Sequence, residues 1–166
     1  MSSDESQRAA LLEALMLESR KMSAYGVLLS HTVAERVGIH PTDLECADML
    51  NWTGPITAGK IAGLTGLTTG AVTALINRLE RAGFVRRARD PDDKRRVIVH
   101  PIAERQAAVA PFFAPLVRAM MAVLAHYDDR ELALILDFAR QTTAVSAEEI
   151  AKLRARNPAE KETATQ

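Results

Sequence analysis

Leu64-Thr65-Gly66-Leu67-Thr68-Thr69-Gly70-Ala71-Val72-Thr73-Ala74-Leu75-Ile76-Asn77-Arg78-Leu79-Glu80-Arg81-Ala82-Gly83-Phe84-Val85 is the stretch on which the fold turns. Thr68 offers a hydroxyl to the unsatisfied N–H groups of a helix start. Val72, Leu75, Ile76 and Leu79 follow at i, i+3, i+4 and i+7, the spacing of one buried stripe. Gly83 ends the helix, because a residue past the last turn often adopts the left-handed conformation that glycine tolerates. Just upstream, Thr57 opens a shorter helix with Ile61, Ala62 and Leu64 apolar, and Gly66-Leu67 makes the turn between the two. Two short helices joined by a glycine-containing turn form a helix-turn-helix. With the stripe buried, Thr69, Gly70, Thr73, Ala74 and Asn77 are left on the outward face of its second helix.

Downstream, Phe84 to Ala88 and Val97 to His100 read as two short strands, with Arg89 to Arg96 as a charged hairpin tip. Upstream, apolar residues from Leu11 to Val33 recur mostly at spacings of three and four, which predicts a long helix from about Ser6 to Val37. Gly26 within it marks a tight contact or a bend. Thr42 and Glu45 have the spacing of a capping box and place a helix through about Leu50. After Pro101 the helical pattern returns, with a kink expected at Pro111 and Pro115, and a last helix begins at Asp128-Asp129. The expected fold is mainly α with a small two-stranded β-wing: a winged helix-turn-helix at 39–101, flanked by N- and C-terminal helices at 6–38 and 102–155. The polar tail, 157–166, is expected to be disordered.

This order of elements points to double-stranded DNA. The outward face of the second helix enters the major groove, its N-terminal residues nearest the base edges. Thr68, Thr69, Gly70, Thr73, Ala74, Asn77 and Arg78 are the candidate contacts there. Threonine hydroxyls donate or accept, threonine and alanine methyls meet thymine methyls, and asparagine bonds adenine through two hydrogen bonds. Arg78, like Arg81, is better placed for phosphate than for bases. In the wing the candidates are Arg86, Arg87, Arg89, Lys94, Arg95 and Arg96; Asp90 and Asp93 are expected to orient the arginines.

Charge supports this. The chain has 166 residues and zero formal net charge. Arg78 to Arg96 nevertheless carry eight basic residues against four acidic ones, and the range of electrostatic fields in salt, about 8–10 Å, lets a local basic stripe steer an anion.

At 48% hydrophobic, 25% charged and 4% aromatic, the composition is that of an aliphatic, helix-leaning globular protein with one core. The apolar runs look too short to span a membrane, the acidic N-terminus lacks the pattern of an export signal, and a single cysteine excludes an internal disulfide framework. A cytoplasmic location without membrane partners is expected. His31, His40, His100 and His126 are scattered, so no metal site is expected, and no cofactor. No phosphate loop or nucleophile elbow is present, and nothing groups Ser, His and Asp for catalysis. Tyr25, Met49 and Trp52 are candidate lining for a ligand pocket, Tyr25 and Trp52 because each joins an apolar body to a polar handle.

Three ordered fragments resemble the MarR family: Leu64 to Thr73, then Arg78-Leu79-Glu80-Arg81-Ala82-Gly83-Phe84-Val85, then Asp90-Pro91-Asp92-Asp93-Lys94-Arg95-Arg96. The resemblance is strongest over Thr42 to Val99. Lys94 stands where the family wing usually has its first arginine, Asn77 replaces the usual aspartate, and Pro101 lies where a threonine is common. The resemblance implies a homodimer, the flanking helices at 6–38 and 102–155 its interlocked dimerisation helices, presenting two recognition helices and two wings to a pseudo-palindromic site. It also implies a repressor released by a small aromatic effector or by cysteine oxidation. Two other readings remain open at this stage: a non-specific DNA-binding or protein-interaction winged-helix module, and a redox sensor based on Cys46. Against the last, Cys46 lies beside two carboxylates, Glu45 and Asp48, which raise a thiol pKa.

Overall fold

The structure is a computed structural model that describes the backbone of residues 3–163 and the side chains of residues 4–155. In chain order the elements are α1 (Ser3–Val37), α2 (Pro41–Thr53), β1 (Ile56–Thr57), α3 (Ala58–Thr65), α4 (Thr69–Arg81), β2 (Val85–Arg89), β3 (Val97–Pro101), α5 (Ala103–Leu124) and α6 (Asp129–Thr163). Of the tail expected to be disordered, 157–166, the backbone as far as Thr163 continues α6, and the rest lies outside the described residues.

The wing is an antiparallel ribbon in which β2 and β3 pair from Val85 opposite Pro101 to Arg89 opposite Val97. A third strand joins it, one the sequence reading did not anticipate. β1 pairs with β3 through Ile56 opposite Val99 and Thr57 opposite Ile98, giving the order β1-β3-β2. Two residues show no alternation to read, so only their partner strand reveals them.

The chain divides into two compact units, Met1–Ala110 and Pro111–Gln166. The core lies in the first. Val33 and Ala34 from α1, Leu44, Ala47 and Leu50 from α2, the four-residue stripe of α4, and Phe84, Val85 and Val99 beside the wing are all buried. The first turns of α5 belong to this unit too. Gln106 donates to Ala47 O at 3.2 Å and accepts from Asn51 Nδ2 at 3.1 Å, which ties α5 to α2. The division thus falls inside α5.

Local signals differ from expectation in three places. The N-cap of α2 is His40, not Thr42: His40 Nδ1 accepts from Thr42 N at 3.2 Å and Pro41 takes the first helical position, where its missing N–H costs nothing. Gly26 has open space within 4 Å of where a side chain would start, so no tight contact within the chain accounts for it. Finally, α5 is long and apolar enough to cross a membrane by length and composition alone. Ala107 to Val117 and Ala119 to Ala125 are uncharged and separated only by Arg118, which a reading that stops at each charge overlooks. The helix is mostly exposed in the single chain.

Candidate nucleic-acid interface

Backbone chemistry sets up the helix-turn-helix. Thr57 Oγ1 accepts from Lys60 N at 3.2 Å and caps α3. Gly66 closes that helix in the left-handed region at φ 74°, where a side chain would be strained. Thr68 Oγ1 then accepts from Ala71 N at 3.3 Å and starts α4. The stripe Val72, Leu75, Ile76 and Leu79 is buried, as its spacing predicts.

That burial leaves Thr68, Thr69, Gly70, Thr73, Ala74 and Asn77 exposed. Thr73 Oγ1 donates back to Thr69 O at 2.9 Å, so its hydroxyl proton is engaged while its oxygen can still accept. Gly70 has nothing within 4 Å of its missing side chain, so packing within this chain does not require glycine there.

Two arginines expected at DNA also have partners within the chain. Arg78 forms a fork on Asp43 of α2, with Nε donating to Oδ2 at 2.8 Å and Nη2 to Oδ1 at 2.6 Å. Asp43 is only 2% exposed, and a carboxylate so buried needs a bidentate partner. The hydrogen bond to Asp43 raises the Arg78 pKa above its ordinary value. Arg78 therefore pins α2 to α4, while its side chain stays 42% exposed.

Arg87 is the second. Nη1 donates to Glu80 Oε2 at 2.8 Å and Nη2 to Asn77 Oδ1 at 2.6 Å, while its backbone N–H reaches Glu80 Oε1 at 3.2 Å. The period of a strand explains this: Arg87 shares a face with buried Val85, two residues earlier, and lies opposite buried Val99. Arg89 has the same parity and stays exposed, so the period alone does not single out Arg87; the Glu80 and Asn77 side chains that meet it do.

The remaining wing cations face outward. Arg86, Arg89, Lys94 and Arg95 are exposed, and their side chains have no hydrogen bond or ion pair among the described residues. At the tip, Asp90 Oδ1 accepts from the backbone N–H of Asp92 at 3.0 Å, and Asp93 Oδ1 from that of Arg95 at 3.0 Å. Asp90 also pairs with Arg96 at 3.8 Å. These aspartates thus shape the tip, and Asp90 holds one of its arginines. A cleft of about 520 Å³ between the start of α3 and the wing is lined by Lys60 as well as Arg96. Lys60 was missed because it lies outside the basic run.

Met49 and Trp52 line a cleft of about 330 Å³ with Cys46, Leu64, Thr65 and Leu67. Trp52 is 69% exposed although it lines this cleft. Tyr25, on α1 and 71% exposed, is not brought to it. Burial first, then the charge of Asp43, push the Cys46 thiol up to about 11. The responsible carboxylate is the buried Asp43, not Glu45 or Asp48.

Comparison with known proteins agrees with this geometry. The sequence profile of the MarR family matches residues 39–97. The chain is 38% identical over 152 residues to an uncharacterized HTH-type transcriptional regulator of Bacillus subtilis, YcgE, covering 92% of this chain and 99% of the relative. Among solved structures, a MarR family protein from Bacillus stearothermophilus has a TM-score of 0.63 at 21% identity, covering 85% of this chain and 96% of that one. The wild-type MarR of E. coli in its apo form has a TM-score of 0.56 at 17% identity, covering 77% and 95%. These two likenesses concern the fold. The extent of the YcgE match, the profile match and the shared winged helix-turn-helix together make the chain a member of the MarR family of transcriptional regulators.

Proposed function

We propose that the protein is a dimeric repressor acting in the cytoplasm, which binds a pseudo-palindromic operator and is released by a small aromatic ligand. The observation that carries this reading is the exposed face Thr69, Gly70, Thr73, Ala74 and Asn77, with a wing whose Arg86, Arg89, Lys94 and Arg95 have no side-chain partner among the described residues. The first group is shaped for base edges, and Arg86, Arg89, Lys94 and Arg95 are placed for phosphates. Thr68 contributes as the cap that sets where α4 begins.

The dimer is supported by apolar surface that a single chain leaves in water. Leu11, Leu15 and Met16 on α1, Met121 on α5, and Leu134 and Phe138 on α6 are each at least half exposed. Long helices with such faces need a partner to bury them. A second copy also gives two recognition helices, which in such dimers lie about 34 Å apart, one turn of duplex. Ligand release is supported by the cleft at Met49 and Trp52, which touches both α2 and the turn before α4. A molecule seated there would shift the population between conformations that place α4 differently. Redox control through Cys46 is not favoured, because a buried thiol with a raised pKa holds little thiolate at neutral pH.

Fluorescence anisotropy on DNA from upstream of the protein's own gene, against scrambled duplex over a salt series, tests the reading. Preference of about a thousandfold with a steep negative salt slope is expected. Equal binding to both duplexes would leave a non-specific DNA-binding module, and no binding at low salt would leave the wing as a protein-interaction surface.

A further inference from the structure

Glu45, Met49 and Trp52 lie at i, i+4 and i+7 on one face of α2. That face walls the cleft of about 330 Å³, which Leu64 and Leu67, from α3 and the turn before α4, help to complete. The lining contains one carboxylate, Glu45, and no lysine, arginine or histidine. Glu45 is exposed, and its side chain has no hydrogen bond or ion pair among the described residues. Its neighbour Asp43 is already balanced by Arg78, so the charge the cleft presents is that of Glu45. Trp52 adds an indole that is 69% exposed.

Both polar features of this lining favour positive charge. A carboxylate attracts a cation and repels an anion, and the face of an indole is the best aromatic surface for a cation. The positive end of α2 acts within its first turn, and Glu45 lies beyond that turn. Glu45 and Trp52 are seven residues apart, about 10 Å along the helix axis. Resting on the reading of this cleft as the place where a ligand acts, we propose that its ligand is a cation. It is a small amphiphile with an ammonium or amidinium head and an aromatic or apolar body, about 10 Å from end to end. The head sits against Glu45, and the body covers Met49, Leu64, Leu67 and the Trp52 ring. An aromatic carboxylate of the same size is repelled by Glu45 and meets no cation in the lining. Its apolar body alone cannot offset that loss.

Trp52 is the only tryptophan of the chain, so indole fluorescence reports on this cleft alone. The test titrates the full-length protein with three probes that share one body: phenylpropylamine, a cation at neutral pH, the neutral phenylpropanol and the anion phenylbutyrate. The amine should change Trp52 emission saturably and bind about fivefold tighter than the alcohol, with phenylbutyrate the weakest of the three. Glu45→Gln should bring the amine down to the level of the alcohol. Asp48→Asn, which removes an exposed carboxylate of α2 that does not line the cleft, should keep the amine's advantage. Thermal melting of each variant confirms folding. Phenylbutyrate binding as well as the amine overturns the proposal, as does a Glu45→Gln variant that keeps the preference for the amine. A Trp52 signal that no probe moves overturns it as well. Anisotropy on the upstream duplex, with each probe present, separates this proposal from ligand release. If the amine binds as expected and leaves DNA affinity unchanged, the cation site stands and release through it falls. If phenylbutyrate frees the duplex with Trp52 unmoved, the cation site falls and ligand release stands.

Discussion

Asp43 is a buried carboxylate held by a single arginine, and its energetics are asymmetric. Removing Arg78 strands the charge in the core, whereas removing Asp43 leaves a cation that is 42% exposed and can reach water. Arg78→Ala should therefore cost about 3–5 kcal/mol in urea unfolding, and Asp43→Ala distinctly less. A loss below about 1 kcal/mol from Arg78→Ala, accompanied by a shallower salt slope on DNA, would return Arg78 to the phosphate contacts. Cys46 makes a second prediction. Its folded pKa is about 11 against an ordinary 9.0, so the unfolded chain releases the proton first. Between those values the folded state binds more protons, and stability falls as pH rises from about 9 towards 11. Comparison of unfolding curves should show this component in the wild type and not in Cys46→Ala, and iodoacetamide should label the native thiol slowly at neutral pH. At this scale the sequence showed which residues carry charge but not which charges are spent. Asp43 and Arg78 lie 35 positions apart, and no local pattern joins them.

Helix ends and turns were far more legible, because their causes are local. Thr57, Gly66, Thr68 and Gly83 each act on a backbone group within a few residues, so their roles follow from residue type and spacing. Gly83 sits at φ 76° between α4 and β2, and Phe84 N donates across it to Leu79 O at 2.9 Å. Gly83→Ala should cost about 1–2 kcal/mol through left-handed strain, measured by thermal or urea unfolding. Gly70 makes the instructive contrast. Its helical backbone is unstrained and its surroundings are open, so Gly70→Ala should leave stability unchanged or raise it by up to about 1 kcal/mol. The added methyl nevertheless lies on the face proposed to meet the groove, so operator affinity should fall. A variant that is more stable and binds equally well would move the interface off the start of α4. β1 shows the limit of element-scale reading, since two residues become a strand only when β3 lies beside them.

For the whole molecule the issue is unburied apolar surface. The first unit has a proper core, whereas every described residue from Leu116 to Val123 and from Ala133 to Ala155 is exposed. Leu134 and Phe138 lie four residues apart on one face of α6. Leu134→Asp with Phe138→Asp should shift sedimentation from dimer to monomer at micromolar concentration and weaken operator binding at least tenfold, because one recognition helix then acts alone. Unchanged sedimentation would place the partner surface elsewhere. The apolar character of α5, sufficient by composition for a membrane, has the same explanation in this reading: an Ala-rich helix faces a second chain.

By itself the sequence determined the helices, their caps and stops, the buried stripe of α4, the basic wing and the family these belong to. Each rests on interactions within one or two turns or on periodicity along a single element. Tertiary structure alone decided which cations remain available to a partner. Periodicity tells which face a side chain occupies, but the residue waiting on the other side comes from a distant segment. Asp43 takes Arg78, Asn77 and Glu80 take Arg87, and Arg86, Arg89, Lys94 and Arg95 are left in solvent.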